Sequence, residues 1–304
     1  MPQPLTVARA ATLAAMAVLA AACTGNPPPP PVAMTPGCLS DAKLDDWITA
    51  HNARTPAVNP PESMTAADAA CTRARLQQRL AVQYGPLVGY KAGLTNPAVQ
   101  KRFHTDQPVW GALYRDMLLN DGAVVSPAFG ARPLFEADML VRVKDAGVNN
   151  ASTPAEVLAH VDQIIPFIEL PDLVVQEPLK LNGNGVSAIN VGARSGVAGT
   201  PLAVPANAAA QARLLDQLRD MNVRVVDSGG AVLDTGKGSD VLGHPLNAVV
   251  WLAGALKAQG LAMQPGQVIS LGSFSKLMPP KPGLKATVSY DGVTGLAPVS
   301  VSFR

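Results

Sequence analysis

Aromatic side chains make up only 4% of the 304 residues and charged ones only 15%. The first shortage disfavours a platform on which nucleic-acid bases stack. The second, with a formal net charge of +2 and no Lys/Arg cluster, argues against a charge-driven nucleic-acid partner. The four histidines, at 51, 104, 160 and 244, show neither H-x-H nor H-E-x-x-H spacing, which makes a zinc protease pattern a poor fit. No G-x-S-x-G elbow is present. GKGSD at 236–240 is not a phosphate loop: Gly238 stands where Ser or Thr should follow Lys237, and Ala231 where the first Gly belongs. There are only three cysteines, none in C-x-x-C or zinc-ligand spacing.

What is present begins with a targeting segment. Arg9 precedes ATLAAMAVLAAA, an apolar run too short to span a bilayer, and residues 1–22 read as a signal peptide. The run ends in LAAAC, which places Cys23 like the cysteine of a bacterial lipobox, with Ala20 where Leu is usual; ordinary signal cleavage is the alternative. Residues 23–38 then form an anchor and a stiff proline-rich spacer. The expectation is a protein exported to the periplasmic face of a bacterial membrane and touching that membrane only through a lipid. In an oxidising compartment the remaining pair, Cys38 and Cys71, reads as a disulfide, the alternative being two buried thiols.

Residues 39–304 are long enough for one sizeable core, and 48% of the whole chain is hydrophobic. Two helices are expected first, over 40–53 with Ser40 as cap and from Thr65 to Tyr84. Short β-prone runs follow: VGYKAGL, AVVSP, FEADMLVRV, PFIELPD, SAINVGA, QVISLGS, KATVSYD, and a hairpin in VRVVDSGGAVLDTG. Two further helices, near 153–163 and 245–259, interrupt them. Many strands with few helices between them predict an α+β domain.

The chemistry concentrates in PLFEADMLVRVKD, residues 133–145. Alternation in a strand points Glu136 and Asp138 to one face, with Phe135, Ala137, Met139 and Val141 opposite. Glu169 sits in a second apolar run, IIPFIELPD. Three carboxylates in such surroundings call either for a cation or for solvent. A hard ion such as Mg²⁺ or Mn²⁺ suits oxygen ligands. Lys91, in LVGYKAGLT, is either a substrate anchor or acid/base, or a surface lysine with a buried stem.

GYKAGLTNPAVQKRF, DQPVWGALYRDM, FEADM, FIELPD and VLGHPLNAVVWLAGALKAQG, in this order from about residue 85 to 290, resemble the 2-keto-4-pentenoate hydratase family. That family is the hydratase/decarboxylase branch of the fumarylacetoacetate hydrolase superfamily. The resemblance implies a mixed β-roll, a divalent metal (Mg²⁺ or Mn²⁺), a small 2-oxo or 2-hydroxydienoic acid as substrate and a homo-oligomer. It matches the metal-holding E-x-E and later Glu to Glu136, Asp138 and Glu169, with Asp138 one methylene short of the family's residue. It matches the active-site lysine to Lys91 and the acid before Q-P to Asp106. Ser187, in the altered stretch LNGNGVSAIN, and Ser273, in LGSFSKLMPPKPG, fall where the substrate is contacted. The implied reaction is addition of water to a dienoic acid through a stabilised enolate, which gives a 4-hydroxy-2-oxo acid. Decarboxylation, carbon–carbon hydrolysis, or a non-catalytic envelope protein that keeps the fold are the alternatives.

Overall fold

The computed structural model describes residues 33–304. The targeting segment, Cys23 and the spacer as far as residue 32 lie outside the described residues. The helices are α1 (Asp41–Ala53), α2 (Ala66–Tyr84), α3 (Pro97–Arg102), α4 (Pro154–Ala159), α5 (Gly183–Ala188), α6 (Ala208–Asp220) and α7 (Asn247–Lys257). The strands are β1 (Leu87–Gly93), β2 (Val109–Tyr114), β3 (Leu118–Asn120), β4 (Val124–Val125), β5 (Glu136–Val143), β6 (Val161–Leu170) and β7 (Ser195–Ala198). They continue with β8 (Leu202–Ala203), β9 (Asn222–Asp227), β10 (Val232–Lys237), β11 (Val268–Ser270), β12 (Lys285–Asp291) and β13 (Val299–Phe303).

The N-terminal helices follow from their caps. The Ser40 side chain accepts the Lys43 N–H, and α1 then buries Leu44, Trp47 and His51 on one stripe. Thr65 and Asp68 close a reciprocal capping box at the start of α2, a device contributing about 1 kcal/mol. A disulfide joins Cys38, just ahead of α1, to Cys71 in α2.

Two sheets form the body. The larger runs β2-β1-β11-β5-β6-β7-β3, with β8 also paired to β6; the smaller runs β10-β9-β12-β13-β4. The larger sheet is mixed, since β1 pairs with β11 in parallel and β5 with both neighbours antiparallel. One face of it, through Ala137, Met139, Val141, Ile164 and Ile168, packs into a core shared with Val225, Val288, Val301 and Phe303 of the smaller sheet. The other face, through Leu140, Ile165 and Phe167, packs under Leu44 and Trp47 of α1 and Leu76 and Leu80 of α2. Glu136 and Asp138 share this second face by alternation, so the N-terminal helices roof the acid side of the sheet. Among the described residues no helix is long and apolar enough to cross a membrane.

Several expectations are corrected. The helix expected over 153–163 stops at Ala159, because Val161 already begins the long central strand β6. SAINVGA is not a strand: it is the end of α5 and a tight turn with Asn190 and Val191 in the left-handed region (φ 54° and 56°). The helices over 208–220, 97–102 and 183–188 were not anticipated. α6 is alanine-rich at its start and buries only Leu214 and Leu218, so its apolar stripe is short.

Candidate functional site

Strand register brings two of the acids together. Glu136 on β5 lies directly opposite Glu169 on β6, and Asp138 opposite Phe167. Residues paired in this way share a face, so all three carboxylates point to one side. Each is almost fully withdrawn from water: exposures are 9% for Glu136, 0% for Asp138 and 2% for Glu169. The solvated strand face is thereby excluded.

Lys91 is the countercharge. It is 3% exposed, and its Nζ donates to Glu169 Oε1 and, at 3.1 Å, to the Val191 carbonyl. That carbonyl is aimed by the left-handed Asn190–Val191 turn, a conformation that costs a β-branched residue about 1–3 kcal/mol. Asn190 holds the turn in place: its amide accepts the Ala112 N–H at 2.8 Å, donates to the Ala112 carbonyl at 3.0 Å and accepts from Gln77 at 2.9 Å. A Cβ on Gly111, the β2 partner of Lys91, would stand 2.5 Å from the Asn190 carbonyl oxygen, so only glycine permits this approach.

Asp138 is gripped by the protein itself. Its Oδ1 accepts N–H groups of Met139 (2.6 Å) and Gly272 (3.0 Å), and its Oδ2 accepts the Ser270 hydroxyl at 2.5 Å. Gly272 can turn its N–H inward because it adopts φ +101°, with Thr95 packed where a side chain would go. From behind the sheet the Tyr290 hydroxyl reaches the Asp138 and Phe167 carbonyls and accepts the Phe167 N–H. A phenol from the smaller sheet thus pins β5 to β6 at the Asp138–Phe167 pair, next to the two glutamates.

The electrostatics follow from three acids sharing one lysine. Burial, then the Glu169 charge, raises Glu136 well above the usual carboxylate range. The same two causes push Asp138 up to about 7, against the hydrogen bonds from Ser270 and Met139 that pull it down. A carboxyl group with a raised native pKa adds stability in full below its unfolded value and loses it as pH rises through the native one. In chelator, the thermal midpoint of the wild type relative to Asp138→Asn should therefore fall as pH goes from 5 to 8. The difference is the quantity to measure, because the lowered pKa values of buried His51 and His244 tilt both proteins the opposite way at the acid end. A difference that stays level with pH would contradict the raised Asp138.

Of the other expected site residues, Ser273 falls at the site, whereas Asp106 and Ser187 fall elsewhere. Asp106 is exposed on the loop between α3 and β2, and among the described residues no hydrogen bond ties it to Lys91 or the acids. Ser187 is buried at the end of α5 and accepts from Arg73, whose guanidinium lies 3.7 Å from the Trp110 ring centre and also donates to Gln259. Ser273 lies beside Glu136, where its hydroxyl draws the glutamate's pKa down, and it also bonds within its own turn to Ser275. Ser270, Gly272, Tyr290 and the Val191 carbonyl were missed by sequence reasoning. QVISLG did mark Ser270 as a polar residue inside an apolar strand, the signal that could have found it.

The donor set fits a hard cation in type and charge, since buried carboxylates in excess of cations favour a bound positive ion. As the side chains stand, no three His, Cys, Asp or Glu residues among those described converge closely enough to hold one. The reason is visible: Asp138 is turned onto Ser270 and Gly272, and Lys91 occupies Glu169. Among the described residues no cation pairs with Glu136 or with Glu169 Oε2, and these are the oxygens left for an ion.

No protein-family model matches the sequence. The chain is 30% identical over 250 residues to a 4-oxalocrotonate decarboxylase of Pseudomonas putida, a match covering 81% of this chain and 89% of that protein. It is 29% identical over 210 residues to 2-keto-4-pentenoate hydratase 1 of Dechloromonas aromatica, covering 68% and 75%. Among solved structures it is similar to the 4-oxalocrotonate decarboxylase from Pseudomonas putida G7 complexed with magnesium and adipate, with a TM-score of 0.74, 27% identity and coverage of 88% and 99%. A fumarylpyruvate hydrolase from Pseudomonas aeruginosa in complex with Mn²⁺ and pyruvate is similar in fold alone: TM-score 0.51, 14% identity, coverage 70% and 88%.

Proposed function

The chain belongs to the family of 2-keto-4-pentenoate hydratases and 4-oxalocrotonate decarboxylases, within the fumarylacetoacetate hydrolase superfamily, and we propose that it is a divalent-metal-dependent hydratase of 2-hydroxydienoic or 2-oxo-enoic acids. The observation that carries this reading is the buried, cross-strand Glu136–Glu169 pair with Asp138 beside it and Lys91, among the described residues, as the one cation bonded to it. Glu136 and Glu169 would hold Mg²⁺ or Mn²⁺, with Asp138 contributing from its hydrogen-bonded seat. When bound, the ion supplies positive charge that stabilises an enolate.

The chain's own groups do the rest. Lys91 Nζ, fixed by Glu169 and the Val191 carbonyl, holds or delivers the proton as the dienol tautomerises and water adds to the double bond. Ser270, Gly272 and Tyr290 fix Asp138 and the spacing of β5 and β6, so the acids do not reorganise during the reaction. Asp106, exposed on its loop, has no part in this arrangement. Decarboxylation is the second reading, favoured by the wider coverage of the decarboxylase relatives.

The test follows the ultraviolet absorbance of 2-hydroxypenta-2,4-dienoate with the protein and Mg²⁺ or Mn²⁺. The expected result is loss of the dienoate signal that chelator abolishes, with a product heavier by one water. Release of carbon dioxide from an oxalocrotonate, with no hydration, would move the assignment to the decarboxylase. No turnover of either acid, together with no heat of metal binding in calorimetry, would overturn both.

A further inference from the structure

Asn190, Val191 and Gly192 all lie in the left-handed region, at φ 54°, 56° and 63°. L-residues visit that region singly, at a cost of about 1–2 kcal/mol each, and rarely in a run. Glycine adopts it freely and asparagine tolerates it, whereas a β-branched residue such as Val191 is out of place there. Strain of this kind persists only where neighbours hold the backbone from several sides. On one side the Asn190 amide bonds both backbone groups of Ala112 in β2. On another, the Asp172 N–H donates to the Gly192 carbonyl at 2.9 Å.

The third side is α2, which reaches the turn through two side chains. Gln77 donates from its amide to Asn190 Oδ1 at 2.9 Å, and Arg73, one helical turn earlier, donates to Ser187. Positions four apart share a helix face, so one stripe of α2 grips both α5 and the turn that follows it. The backbone carbonyl of Gln77 accepts the Tyr114 hydroxyl at 2.8 Å, which seats the same residue against the end of β2. What this bracing presents to the site is one carbonyl. The Val191 oxygen lies 3.1 Å from Lys91 Nζ, and Glu169 takes a second N–H. An ammonium carries three N–H donors, so two fixed acceptors set the direction of the third. Gly93, on the strand of Lys91, leaves room for the turn: a Cβ there would stand 2.4 Å from Val191 Cγ1.

We infer that Gln77 is a positioning residue for proton transfer: through Asn190 it holds the left-handed turn, and through the Val191 carbonyl it aims the third N–H of Lys91 into the site. This rests on the functional reading above and deepens it, because it gives a task to a helix residue that bonds neither Lys91 nor the acids.

Gln77→Met keeps the length and helix preference of the side chain and removes its amide. Asn190 Oδ1 retains the Ala112 N–H, so no buried acceptor is stranded and the fold should hold. On whichever acid the wild type consumes with Mg²⁺, kcat is expected to fall about tenfold or more, as for a misplaced catalytic group. KM should stay within about twofold, the mark of an interaction that matters in the transition state. Asn190→Gly admits the left-handed backbone but removes all three amide bonds, and should lose at least as much. Gln78→Met, one position along on the exposed side of α2, should leave turnover unchanged. A double-mutant cycle decides the matter. In a Lys91→Met background, Gln77→Met should cost nothing further, since no ammonium remains to be aimed, whereas a purely structural loss would repeat in both backgrounds. Wild-type kcat in Gln77→Met, or an equal fold loss with and without Lys91, would overturn the inference while the functional reading stands. A wild type that consumes neither acid would overturn that reading and the inference with it.

Discussion

Lys91→Met is expected to lower turnover of a 2-hydroxydienoate by about 10²–10⁴-fold, the range for loss of a positioned proton-transfer group. It should also destabilise the metal-free protein by about 3–5 kcal/mol, because removing one member of a buried pair strands the other charge. The structural ground is direct: Lys91 and Glu169 are both buried and bonded to each other, and Glu136 and Asp138 already burden the same face with negative charge. The two losses have different causes and separate in a double variant. Lys91→Met with Glu169→Gln leaves no stranded carboxylate at that pair, so most of the stability should return in urea unfolding while turnover does not. Wild-type turnover by Lys91→Met would remove the ammonium from the proposed mechanism.

Reduction of the Cys38–Cys71 disulfide, or Cys71→Ser, should cost about 3–4 kcal/mol, the chain-entropy value for a closed loop of this size; the two cysteines are 33 residues apart. The loop contains all of α1 and the first turns of α2, which together roof the acid face. The loss is therefore expected to reach the site. Arg73 is two residues beyond Cys71 and binds Ser187, and Gln77 on the same helix binds Asn190, whose turn presents the Val191 carbonyl to Lys91. A denaturation curve in reductant that overlays the oxidised one would contradict this. A bond of this kind persists in an oxidising compartment.

How far the sequence revealed the site depends on the sequence distance over which its residues meet. Glu136 and Asp138 lie two apart in one strand, so alternation alone set them on one face. Placing Glu169 beside them needed either the resemblance or the β5–β6 register, since no local pattern says which residue of IIPFIELPD faces which of FEADM. The α+β class, α1, α2 and the hairpin around Ser228–Gly230 were legible because caps, stripes and turn residues act over a few positions. SAINVGA misled because its β-prone composition is overridden by Asn190, whose side chain pairs with the β2 backbone like a short strand. Ser270 and Tyr290 meet Asp138 from more than 130 residues away. Their roles are written in the tertiary fold and in no motif. Ser187, in the altered stretch, binds the buried Arg73, a contact made across 114 residues that no local pattern announces.

Between the strand of Lys91 and the strand of Glu136 runs only β11, three residues long. From β1 to β6 the sheet counts three strand spacings, roughly 14 Å in a flat sheet. Lys91 and Glu169 nevertheless touch across them. The sheet must curl toward this face, with β11 at the bottom of the bend, so these three residues set the span between the lysine and the acids. A fragment ending before residue 268 keeps Lys91 and the three acids Glu136, Asp138 and Glu169, yet no strand joins the two halves. The site is a property of curvature, and the chain completes that curvature only near its end.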